Sequence, residues 1–122
     1  MPFNQDGDIK YFSFDSLDDT RVVQGIFTRR GGVSPHPWGS LNLGGTVGDV
    51  RHNVVENRRR IFEVVQRPVE SIYDSWQVHS AKVLCTEEPR PLGSPHIKAD
   101  AILTNNPRVT LFMRFADCAP IL

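Results

Sequence analysis

Between Asp49 and Gln66 the apolar residues recur at helical spacing, and two polar residues interrupt the stripe they draw. Val50, Val54, Val55, Ile61, Phe62 and Val65 fall on one side of a helix, because their separations repeat at three, four and seven. Asp49 is a residue type that caps helix N-termini. Arg67-Pro68 ends the run, since proline pushes the residue before it out of helical geometry. Asn57 and Arg58 lie on or beside the stripe, each three or four positions from Val54 and from Ile61. Burying an unpaired charge costs on the order of several kcal/mol, so Arg58 calls for a carboxylate, backbone carbonyls or a bound anion. Arg59 and Arg60 belong to the solvent side.

Such a helix must lay its apolar face on another layer. The rest of the chain offers strands for that purpose. Ile9–Phe14 and Val22–Thr28 are rich in β-branched and aromatic residues bounded by turn formers, and they are expected to pair. Ser71–Gln77, Ala81–Thr86 and Ala99–Thr104 read as further extended segments, with Pro89, Pro91, Gly93 and Pro95 marking the loop before the last. Val109–Phe115 is apolar on both alternating faces except at Arg114, which predicts a central strand covered on both sides. Gly31–Gly48 is rich in glycine and proline but carries too many specific polar residues for a linker, and reads as a structured loop. The expected class is α+β, a mixed sheet with a helix packed on it, in a single domain spanning 1–122.

Composition narrows the function. With 39% hydrophobic residues the chain can bury a core, and it lacks the polar bias of a disordered segment. Lys and Arg number 14 and so do Asp and Glu, so no global field favours nucleic acid or an anionic membrane, and any anion site must be local. There is no apolar run of membrane-spanning length and no signal-like N-terminus, which makes the cytoplasm the expected compartment. Two cysteines in a reducing compartment are expected as free thiols, available as ligands. The apolar terminus Ala119-Pro120-Ile121-Leu122 reads as a truncation.

The residues able to carry chemistry are the histidines, the cysteines, Asp117 and the arginines. His79 and Cys118 are far apart in sequence and share no short metal motif, yet each ends an apolar, strand-like segment, where a scaffold can aim side chains into a cleft. A metal-ligand pair and a buried thiol with a hydrogen-bonded histidine both fit that pattern. Cys85 lies inside a strand and is expected in the core, whereas His36, His52 and His96 are expected at the surface. In Thr28-Arg29-Arg30-Gly31-Gly32-Val33-Ser34, two cations flank two glycines that let backbone approach a ligand. A phosphate could sit there, and ordinary turn chemistry would explain the glycines equally well.

One further reading comes from the order of several short elements. Thr28-Arg29-Arg30-Gly31-Gly32-Val33-Ser34, Leu41-Asn42-Leu43-Gly44, Val47-Gly48-Asp49 with Val54 and Asn57-Arg58, Gln77-Val78-His79, Asp100-Ala101 and Ala116-Asp117-Cys118-Ala119-Pro120 follow one another as they do in the YfiH/YlmD family. From about Gly25 onward the chain resembles the N-terminal half of that family. It was first described as laccase-like multicopper polyphenol oxidoreductases, and is associated with purine nucleoside phosphorolysis and adenosine deamination. The resemblance implies a fold related to certain cysteine hydrolases. It also implies a zinc ion held by His79 and Cys118, with a third ligand, a histidine, in an element that this chain does not contain. Ser80 stands where the family usually has glycine, and Val50 where an acidic residue is common.

The chemistry implied is attack of inorganic phosphate on the ribose carbon of a purine nucleoside as the base departs. It calls for anion contacts, for which Arg58 and Arg29 are the candidates, with Asn42 as a polar partner. Deamination would need a carboxylate to relay protons, and Asp117 is the nearest to the cysteine. Four histidines are few for a multicopper cluster, so zinc rather than copper is expected. The alternatives are a metal-free thiol hydrolase or deamidase with Cys118 as nucleophile and His79 as base, or an inactive fragment that completes itself only as a homodimer.

Overall fold

The computed structural model describes residues 3–122. They form two compact units, one running to Gln66 and including Cys118–Leu122, the other Arg67–Asp117.

The first unit opens with an antiparallel sheet, β1 (Phe3–Asp6), β2 (Ile9–Phe12) and β3 (Ile26–Phe27). Gly7, at φ +58°, takes the first central position of the two-residue turn between β1 and β2, where a left-handed residue matches the twist of the strands. Register brings Phe3 opposite Phe12 and Tyr11 opposite Phe27. Their rings meet edge to face at 5.8 Å and stacked at 5.0 Å, cross-strand aromatic pairs of the kind that stabilise a sheet. The expected pairing of the first two strand-like segments is therefore present, but the segment Val22–Thr28 contributes only two ladder residues, and Val22 and Val23 are exposed. β1 has no counterpart in the sequence reading, because Phe3-Asn4-Gln5-Asp6 has little β propensity.

The helix α1 spans Arg51–Val64. It closes through Gln66, which adopts a left-handed φ of +55° and donates its amide to the Glu63 carbonyl. Its cap position is Val50, so Asp49 stands one residue earlier than expected. The Asp49 carboxylate nevertheless accepts the Val50 amide and the Asn53 side chain. Val54, Ile61 and Phe62 are buried and Asn57 is completely so, whereas Val50 and Val55, expected to face the core, are half exposed. The buried face runs through the polar gap in the stripe, and the two valines flank it. Arg59 does lie outward, bridging Glu56 and Glu63. Arg60 turns partly inward and donates to the Gly31 carbonyl at 2.9 Å.

In the second unit two parallel pairs form, β4 (Ile72–Tyr73) with β7 (Thr110–Leu111), and β5 (Val83–Cys85) with β6 (Ala101–Leu103). Ile72, Ala99, Ile102, Val109 and Phe112 are its buried apolar side chains. The mixed α+β class holds, with parallel and antiparallel pairing divided, among the described residues, over three small sheets. Two expectations need correction. Val109–Phe115 is not a central strand among the described residues, since β7 has β4 as its sole ladder partner and Leu111 and Phe115 are exposed. Cys85 is exposed rather than in the core, because β5 is an edge strand with one neighbour. Among the described residues no helix is long and apolar enough to cross a membrane.

Candidate functional site

In the first unit the glycine-rich loop is held by a side chain from the helix. Asn57 Oδ1 accepts the Val33 amide at 2.8 Å, and its Nδ2 donates to Ser34 Oγ, the Ser40 carbonyl and the Asn42 carbonyl at 2.9, 3.3 and 2.8 Å. This resolves the polar gap in the stripe, for the buried amide completes the loop's backbone hydrogen bonds. Gly32 lies against the same group, so a Cβ there would meet Asn57 Oδ1 at 2.6 Å and also the Ser40 carbonyl. Ser34 passes the network to Asp49, which also accepts the Asn42 side chain. Burial opposes charge on Asp49, but hydrogen bonds from Ser34, Asn53, Asn42 and the Val50 amide outweigh it and hold the carboxyl down at about 2.

Asn42, the candidate polar partner, donates to Gly44 O and to Asp49 and accepts the Gly44 amide, so its side chain is hydrogen-bonded within the loop. Arg29 is exposed, with Nε donating to the Gly39 carbonyl at 3.1 Å while its own carbonyl takes the amides of Ser40 and Leu41. Arg58 is half-buried on α1 beside Asn57. A cleft of about 470 Å³ opens beside the same loop, lined by Gly31, Gly32, Gly39 and Ser40 together with Lys10, Arg30 and Arg60 against Asp8. Cys118 is a free, exposed thiol.

In the second unit His79 is exposed in a tight turn at φ +59°, and its amide donates to Asp100 at 2.9 Å. The preceding Gln77 accepts the Arg114 amide at 3.0 Å, which ties the His79 segment to the strand end that leads to Asp117. Asp117 is exposed. Beneath these lies a group missed in the sequence. Asp74, 1% exposed, receives Arg90 Nε at 2.6 Å, His96 Nε2 at 2.9 Å and Arg114 Nη1 at 3.0 Å. Burial raises its pKa, but the hydrogen bonds from Arg90 and His96 and the Arg114 charge prevail, and the carboxyl titrates below the ordinary range. His96, expected at the surface, is therefore half-buried in an ion-paired cluster. Nothing in the spacing of residues 74, 90, 96 and 114 announces this convergence.

An imidazole and a thiolate are donors suited to zinc. His79 lies in the second unit and Cys118 in the first, and among the described residues no three His, Cys, Asp or Glu side chains gather into a metal-binding group.

Residues 23–122 match the sequence family described as multi-copper polyphenol oxidoreductase laccase. The chain belongs to this family. Among its relatives, a purine nucleoside phosphorylase of Corynebacterium glutamicum is 36% identical over 110 residues, 88% of this chain and 45% of the relative. The purine nucleoside phosphorylase YlmD of Geobacillus stearothermophilus is 39% identical over 106 residues, covering 82% of this chain and 39% of its own length. The crystal structure of YlmD from that organism superposes with a TM-score of 0.82 at 32% identity, over 95% of this chain and 45% of YlmD. This member of the laccase family thus spans less than half the length of the relatives it matches.

Proposed function

We propose that the protein to which these residues belong is a zinc-dependent purine nucleoside phosphorylase, with adenosine deamination as a second activity. The observation that carries the reading is the set of relatives named purine nucleoside phosphorylase, together with a family match over residues 23–122, which include His79 and Cys118. Both residues are exposed and so are available to a ligand.

Zinc, when bound by His79, Cys118 and a third ligand from outside these residues, would supply Lewis acidity. The chain's own contribution is to bind and orient. Arg29 carries an exposed guanidinium on a loop fixed by Asn57, so a phosphate docked there would meet a preset cation at little cost in reorganisation. Arg58, one residue from Asn57 on the same helix, is the second candidate anion contact. Asp117 is the candidate for holding a proton in the deamination step. Cytoplasmic residence goes with this reading.

The test is incubation with adenosine, inosine and methylthioadenosine, with and without phosphate, followed by product identification. Phosphate-dependent release of free base, lost in Arg29→Ala, supports the reading. Nucleosides that survive intact reject it. Metal-free protein alkylated selectively at Cys118 would instead favour a thiol hydrolase.

A further inference from the structure

Asp100 occupies the centre of the turn that presents His79. Its Oδ1 accepts the amides of Val78 at 3.1 Å and His79 at 2.9 Å. Its Oδ2 accepts the amides of Val78 at 3.1 Å and Ser80 at 2.8 Å, and the Ser80 hydroxyl at 2.7 Å. Three successive backbone N–H groups converge on one carboxylate, the concave arrangement that backbone forms around an anion. For that convergence the chain must turn sharply, and His79 takes φ +59°, a conformation that residues other than glycine seldom adopt.

Both stems of the turn are fastened to the segment that carries Asp100. On one side Trp76 pairs with Lys98, its amide donating to the Ile97 carbonyl and its carbonyl accepting the Ala99 amide. On the other, the Asp100 amide donates to the Lys82 carbonyl, where the β5–β6 ladder begins. A carboxylate held by the stems thus fills the loop between them. Its amides face inward on Asp100, and the His79 side chain is left exposed. Ser80 adds a bond to Asp100 that glycine could not make, and its hydroxyl also accepts the Lys82 amide at 3.3 Å.

We propose that Asp100 is a positioning residue for His79, fixing through the 78–80 amides the backbone conformation from which the imidazole reaches its ligand. In its ligand-directed part the proposal rests on the metal reading given above. Position 100 acts through charge and two acceptor oxygens, not through bulk. Asparagine, nearly the same shape, keeps one acceptor and sets an NH₂ group against donors, so it fails where a packing role would tolerate it.

The experiment compares wild type, Asp100→Asn and Asp100→Ala by two readouts. One is amide hydrogen exchange at Val78, His79 and Ser80, and the other is zinc affinity by competition with a chromophoric chelator. In Asp100→Asn we expect at least about tenfold faster exchange at residues 79 and 80, and zinc binding weaker by about 10- to 100-fold, as when groups that orient a metal ligand are lost. Asp100→Asn that keeps wild-type protection at these amides overturns the proposal, and so does lost protection with unchanged zinc affinity. Should the wild type bind no zinc, or His79→Ala leave zinc affinity unchanged, the metal reading fails. Asp100 is then judged on amide protection alone, by the same threshold.

Discussion

Replacing Asn57 should unfasten the glycine-rich loop from α1. The side chain is fully buried and makes four hydrogen bonds, one accepted from Val33 and three donated to Ser34, Ser40 and Asn42. Each such bond contributes about 1 kcal/mol net, and each buried group left unsatisfied costs about 1–3 kcal/mol. Allowing for partial relaxation and for the long 3.3 Å bond to Ser40, Asn57→Ala should cost about 3–5 kcal/mol, a large part of the roughly 5–15 kcal/mol that holds a typical domain. Asn57→Leu fills the space but leaves the Val33 amide and the Asn42 carbonyl without the partner Asn57 supplies, the Ser40 carbonyl keeping only the Ser34 amide, so its cost should be comparable. Asn57→Asp turns a donor into an acceptor facing two carbonyls and should be no better. Urea denaturation followed by circular dichroism gives the free energies. Asn57→Leu within about 1 kcal/mol of wild type would refute the reasoning, because the site would then be held by packing and not by the polar network.

Gly32→Ala should lower the melting temperature, and its cost should add only in part to that of Asn57→Ala, since the new Cβ collides with the Asn57 oxygen, which the second change removes, and with the Ser40 carbonyl, which it does not. Arg90→Ala leaves Asp74 buried with part of its compensation gone, and thermal or urea unfolding should show a loss of about 3–5 kcal/mol. Because the folded pKa of Asp74 is depressed, its contribution is complete above the ordinary carboxylate value of roughly 3.9 and disappears as pH falls through the lower folded value. Acid titration of stability should therefore flatten in that range in Asp74→Asn.

What the sequence discloses follows the range of the interactions concerned. The helix was legible because Val54, Ile61 and Phe62 repeat at its own period, and Arg67-Pro68 marks its end. The polar gap is visible too, but in the sequence the charge of Arg58 is a stronger signal than the amide of Asn57, which is the side chain that fills the gap. Periodicity shows that a polar group sits in a core and says nothing of the loop it will bond. β1 escaped because its pairing depends on Gly7 turning the chain, not on its own composition. The Asp74 cluster joins residues up to 40 positions apart, and such convergence is set by strand register, which short strands of two or three residues leave unmarked. The placement of His79 in an exposed turn held by Asp100 could have been suspected from their shared presence among the recurring elements, though the hydrogen bonds themselves have no local signature.

The central claim, that position 79 and position 118 grip one ion together, is open to X-ray absorption at the zinc edge on protein purified without added metal. The account predicts stoichiometric zinc with a single sulfur neighbour at about 2.3 Å and nitrogen neighbours at about 2.0–2.1 Å, the sulfur shell vanishing in Cys118→Ala. Zinc surrounded only by nitrogen and oxygen in the wild type, or a preparation with no zinc at all, would contradict it.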